Sequence, residues 1–207
     1  SVQTSGGATA PLLVPDLGAT AGEQLRRVRT AVHGRNDLLL ELDLCRLRQS
    51  VALIDDEAGA VRGLVLTEVH YSTMIARRTA DRYLAELAAS TTTAQRGLLM
   101  VLVGVPEGTL GIRVGPMLAR LRGHSRAVGI EISSLQGEMP DFPAIRPTFV
   151  VLPYALIEQL AERREDRLRM MIQHAHRSSV RIIARGVPRS QGATLRENYM
   201  IDFTSSA

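Results

Sequence analysis

Lysine is absent from this 207-residue chain, and so is tryptophan. All 25 basic residues are arginines, set against 21 acidic residues for a net charge of +4. The arginines are scattered among acids, as in AERREDRLR at 161–169, so they form no block that would read as a nucleic-acid or phosphate footprint. All-arginine usage fits either phosphate recognition or arginine codon choice in a GC-rich genome, and the scatter favours the second. Aromatics are only 3% of the chain, which argues against stacking platforms for single-stranded nucleic acid. No helix-turn-helix or zinc-finger spacing is present, so no nucleic-acid partner is expected. A single cysteine, Cys45, rules out an internal disulfide and suits a reducing, cytoplasmic setting. In its apolar stretch it reads as a buried thiol. No apolar run reaches the length of a membrane span, and no basic–apolar leader opens the chain.

What is present is 45% hydrophobic, at a length that gives one domain with a substantial core. Residues 1–20 are rich in Gly, Ser, Thr and Pro and read as a linker or tail, leaving 21–207 as the domain. Apolar spacing at Leu25, Val28 and Val32 predicts a helix over 21–33, stopped by Gly34. LLLELDLC at 38–45 fits a strand or a helix equally. VALID at 51–55 reads as a strand, DDEAG as a turn and VRGLVLTEVHY as a second strand. A helix is expected over 74–89, a strand buried on both faces over 98–105, and a helix over 114–124. Then come strands at AVGIEIS and at 148–153, a long amphipathic helix over 155–176 and a strand over 180–187. GATLREN gives a short helix and YMIDF a last strand. Strands alternating with helices predict a parallel sheet covered on both faces, either open or closed as a barrel.

Candidate sites for common chemistries are weak. His174 and His176 stand two apart on a helix and point to different faces, so joint metal ligation is disfavoured and exposed helix-end histidines are expected. No histidine is placed to activate Ser133 or Ser134, which read as strand-end hydroxyls bonding backbone. GVPEG and GTLGIRVG match neither a phosphate-binding loop nor a dinucleotide fingerprint.

Two segments carry a family resemblance. GIEISSLQG at 129–137 and IIARGVP at 182–188 resemble strand-end motifs of EAL domains, the bacterial cyclic-di-GMP phosphodiesterases. Those motifs read G-x-x-x-D-D-F-G and A-E-G-V-E. The two aspartates fall on Ser133 and Ser134, and the two glutamates on Arg185 and Pro188. The family's K-i-D falls on Val151, Leu152 and Pro153. Its opening pattern is similar to Gln49–Thr67, which puts the motif glutamate at Val65, with Glu68 three residues away. Its fourth-strand glutamate falls near Glu107, and its V-N-l-S strand and closing glutamine have no counterpart.

The resemblance implies an α/β fold, a modified and shortened (β/α) TIM-like barrel, with strands ending near Ser134, Pro153 and Arg185 in parallel, adjacent order. Two-metal hydrolysis needs clustered carboxylates. On these substitutions the resemblance implies no catalytic, cofactor-binding or metal-binding residues: an inactive EAL-like domain serving as a protein-interaction module in bacterial signalling. A protein partner or self-association is the expectation, argued from the apolar content of LLLELDLC. A non-hydrolysing cyclic-di-GMP receptor, with Arg185 aimed at phosphate, is the alternative, and an active phosphodiesterase ranks below both.

Overall fold

A computed structural model describes residues 12–13, 36–56, 64–109 and 111–206. The elements run β1 (Leu12–Leu13), α1 (Asn36–Asp56), β2 (Leu64–His70), α2 (Tyr71–Ile75), α3 (Arg77–Ala89), α4 (Thr92–Gly97), β3 (Leu98–Val103), α5 (Gly111–Arg122), β4 (Ala127–Glu131), α6 (Phe142–Ile145), β5 (Phe149–Pro153), α7 (Tyr154–Arg163), α8 (Glu165–Arg177), β6 (Arg181–Val187), α9 (Gly192–Tyr199) and β7 (Phe203–Ser206). All strand pairs are parallel, and order in the sheet equals order in the chain. Among the described residues β1 and β7 are the two edges, so the structure is a shortened, open TIM-like barrel.

Strands β2 to β6 divide their side chains between two cores. Val65, Val69, Met100, Leu102, Val128, Ile130, Val150, Leu152, Ile182 and Ala184 join a large cluster with residues of α1, α3, α5, α7 and α8. Leu66, Leu99, Val101, Val103, Phe149, Val151 and Ile183 form a second cluster drawn from strands alone. The first face is covered by helices. The second is the inside of the curl, which is why β3 is buried along its whole length and reads as an unbroken apolar run. Gly129 belongs to this inner face. A Cβ there would come within 2.5 Å of the Phe149 ring and carbonyl oxygen, so only glycine lets β4 and β5 approach with that ring between them.

Several expectations need correction. VALID is not a strand but the last turns of α1, which takes in LLLELDLC as well. Buried Leu40, Leu44, Leu47 and Ile54 follow helical spacing over the whole 21 residues. A five-residue window was too short to show it. The match of Gln49–Thr67 to a strand–turn–strand opening fails at its first half for the same reason. The 155–176 helix is two, α7 and α8, broken at Arg164 with φ −152° and ψ 49°. The last strand is FTSS rather than YMIDF. Cys45 is exposed. The expected 21–33 helix lies outside the described residues. So does the 1–20 linker, apart from Leu12 and Leu13, which add to the edge of β2. No strand lies between β2 and β3, which pair directly, in keeping with the missing V-N-l-S unit.

α1 is tied to the C-terminal end of β2 by one buried carboxylate. Asp43 is fully buried and accepts from the His70 backbone N–H (3.0 Å) and the Thr73 hydroxyl (2.6 Å). It also lies 2.6 Å from His70 Nδ1. Removing it orphans three groups that water cannot reach. Asp43→Ala is expected to cost about 3 kcal/mol. Urea unfolding measures this, and a loss under 1 kcal/mol would show that the strap contributes little.

Candidate functional site

The inner face carries charge at its C-terminal rim. On β2 the inward series Leu64, Leu66 continues to Glu68; on β4, Ala127 and Gly129 continue to Glu131; on β6, Ile183 continues to Arg185. The Arg185 guanidinium bonds both carboxylates, Nη1 to Glu68 and Nη2 to Glu131. Arg46 of α1 bonds the other oxygen of Glu68 at 2.8 Å. The result is a row of alternating charge, Arg46–Glu68–Arg185–Glu131, with side chains only 9–22% exposed. Burial opposes the charge on Arg185, but the Glu68 and Glu131 carboxylates outweigh it and raise its pKa.

The cluster also reports the curvature. β2 and β6 are four strands apart, a distance of about 19 Å in a flat sheet at 4.8 Å per strand. Two side chains cannot bridge that, so the contact exists only because the sheet curls. Just past Arg185, Val187 pairs with Ser206 where strict register would place Gly186, and Gly186 has φ +73°. This bulge, which needs a glycine, ends regular pairing next to the guanidinium.

The sequence-derived positions fall as follows. Val65, given the motif glutamate, faces the helices, and Glu68 is the inward carboxylate of β2. Arg185 points inward as expected. Glu131 escaped the sequence reading, although it shares a face with Gly129 by simple alternation. Val151 is inward, Leu152 faces the helices, and Pro153 ends β5. Ser133 and Ser134 lie beyond β4, in the loop leading to α6. Glu107, on the loop after β3, is tied to that loop: it accepts from Ser134 Oγ at 3.1 Å and from the Gly137 backbone N–H. Pro188 follows β6 directly. His174 and His176 take separate partners. His174 stacks on Phe142 with Nε2 3.1 Å from the Pro140 carbonyl, and His176 Nε2 is 3.1 Å from Asp202. They are half-buried rather than exposed.

Two cavities flank Ser133 and Ser134. One, of about 270 Å³, is acidic, with Glu107, Glu131, Glu138 and Asp141 in its lining. The other, of about 320 Å³, is lined by Arg163 and Arg164. Among the described residues no group of three or more His, Cys, Asp and Glu side chains could hold a metal ion. No helix is long and apolar enough to cross a membrane among those residues either.

No protein-family model matches the chain, and no curated protein does. Solved structures do. The FimX EAL domain of Xanthomonas citri, in complex with c-diGMP, superposes with a TM-score of 0.63 at 16% identity, covering 93% of this chain and 73% of that one. The S helix–GGDEF–EAL portion of Vibrio cholerae LapD, in its apo form, gives 0.69 at 13% identity, covering 84% and 43%. Klebsiella pneumoniae BlrP1, in a manganese/cy-diGMP complex, gives 0.60 at 12% identity, covering 81% and 43%. The chain thus spans under half the length of the LapD and BlrP1 chains. At these identities the likeness establishes fold: the chain folds as an EAL domain.

Removing Arg185 leaves two inward carboxylates without their shared cation. Arg185→Ala is expected to cost about 3 kcal/mol in chemical unfolding. Replacing Arg46, Glu68, Glu131 and Arg185 together by leucine should lose much less, because the whole row of charge is removed and none of its members is left behind. Equal losses in the two variants would mean the side chains act through packing rather than through charge.

Proposed function

We propose that this domain is a non-catalytic member of the cyclic-di-GMP signalling class, an EAL fold used for regulation rather than for hydrolysis. The observation that carries the reading is the Arg185 guanidinium between Glu68 and Glu131. Metal-assisted phosphodiester hydrolysis needs clustered carboxylates to hold divalent ions and acidify the attacking water. A divalent cation between these two carboxylates would have to displace a guanidinium already bonded to both. The manganese of the BlrP1 complex therefore does not fit this set of residues, and no step is routed through a metal. Ser133 and Ser134 supply neutral hydroxyls, and Glu107 is engaged by Ser134 and Gly137.

Without hydrolysis, the working property is recognition. Protein partnership remains the first reading, although one argument for it has gone: LLLELDLC spends Leu40 and Leu44 on the internal core. A second reading, a receptor that holds cyclic-di-GMP without cutting it, is favoured by the two cavities at the C-terminal rim, where (β/α) barrels place their ligands. The neighbouring FimX EAL domain was solved with c-diGMP.

Chromatography of cyclic-di-GMP incubated with the protein and Mg²⁺ or Mn²⁺ is expected to yield no linear dinucleotide. Turnover abolished by Glu68→Gln would overturn the non-catalytic reading. Calorimetric titration with cyclic-di-GMP separates the two recognition modes: binding without turnover selects the receptor. Absence of binding, together with a specific partner or a defined oligomer in light scattering, selects the interaction module.

A further inference from the structure

The cavity on the α7 side of the rim has its own chemistry. It is lined by Ser133, Ser134, Gln159, Arg163 and Arg164 over a floor of Leu135, Leu156 and Leu160. Those three leucines are buried, so the apolar floor is fixed by the core rather than by flexible side chains. The acidic and basic cavities share only Ser133 and Ser134. Negative and positive linings are therefore sorted to the two flanks of one short loop.

Four features of the basic cavity point to an oxyanion. First, neither the Arg163 nor the Arg164 guanidinium pairs with a carboxylate among the described residues, whereas neighbouring Arg169 pairs with Glu165. Second, a guanidinium presents donors in a planar fork that suits phosphate oxygens. Third, Ser133 and Gln159 add neutral donors that orient an anion without repelling it, while Ser134 donates its own hydroxyl hydrogen to Glu107 and only shapes the wall. Fourth, α7 ends and α8 begins at Arg164, so the negative end of one helix dipole meets the positive end of the next. The ordinary reason for a basic residue in a last helical turn, pairing with the helix C-terminus, is weakened by that junction. Arg164 also sits at an abrupt break, with φ −152° and ψ 49°, that turns the chain at the cavity wall. The loop opposite is braced: the Arg167 guanidinium bonds the Gly137 carbonyl, and the Ser134 hydroxyl accepts from the Gln136 N–H at 3.3 Å.

We infer that Ser133, Gln159, Arg163 and Arg164 form a phosphate-type oxyanion site beside the barrel mouth. The site goes beyond the non-catalytic reading and does not rest on it, because it shares no residue with the Arg185 cluster. Its occupant is a phosphoryl group, either free phosphate or the phosphate of a small nucleotide. The apolar floor gives the second source a place for its base.

The test uses the full chain, inorganic phosphate as the first probe and backbone amide shifts as the readout. Saturable shifts centred on 133–136 and 159–164 are expected. The Arg163→Ala/Arg164→Ala double variant should weaken binding by about tenfold or more, as loss of charge-assisted hydrogen bonds does. Gln159→Glu, which keeps both arginines and adds a negative charge to the lining, should weaken it as well. Arg189→Ala, on the exposed loop after β6, should leave it unchanged. A second titration with cyclic-di-GMP identifies the source: competition with phosphate assigns the site to a nucleotide phosphate, and independence assigns it to free phosphate. Shifts that do not saturate, that spread over arginines across the surface, or that persist unchanged in both the double variant and Gln159→Glu would overturn the proposal.

Discussion

The structure turns on one guanidinium holding two carboxylates across the inside of a curled sheet. Arg185, Glu68 and Glu131 come from strands that would lie far apart if the sheet were flat. Their contact is therefore a condition on curvature, and curvature in turn decides which residues share the inner core. Beneath the charges, Phe149, Val101, Val151 and Ile183 fill the interior with apolar volume. Above them the rim loops carry the cavities. A neutralised layer sits between a dry interior and a wet mouth, and its partners are close enough that neither carboxylate is buried as an orphan.

The fold was largely legible because parallel strands buried on both faces leave unbroken apolar runs. LLMVLV and FVVLP could be read directly, and helical stretches between them supplied the crossovers. What failed were short windows. VALID looks like a strand in isolation, and only the leucine spacing running back to Leu40 marks it as the end of a helix. The α7–α8 break was hidden because an arginine in AERREDRLR has good helix propensity. Nothing local announces the bend at Arg164.

The site was less legible, for a geometric reason. Motif spacing placed Arg185 correctly because β6 is regular up to its bulge. It placed a glutamate at Val65, one of the residues that β2 turns towards the helices, while Glu68 stands on the opposite face. In a strand a shift by an odd number of residues exchanges the two sides of the sheet, so a small alignment error reverses the chemistry. The motif aspartates align with the serines beyond β4, so the motif carries no signal at Glu131. Counting by twos from Gly129, a residue forced to the inner face by Phe149, would have found it.

The order of the sheet has a consequence for how the chain matures. Each strand lies beside the one synthesised just before it, so the structure can grow from its N-terminal side one crossover at a time. The ion cluster does not grow that way. Glu68 and Glu131 are in place once β4 has docked, but their common counterion arrives only with β6. Until then Glu68 has Arg46, but the cation it shares with Glu131 is still to come. A chain that stops short of residue 185 therefore lacks the contact that joins β2 and β4 to β6 across the curl.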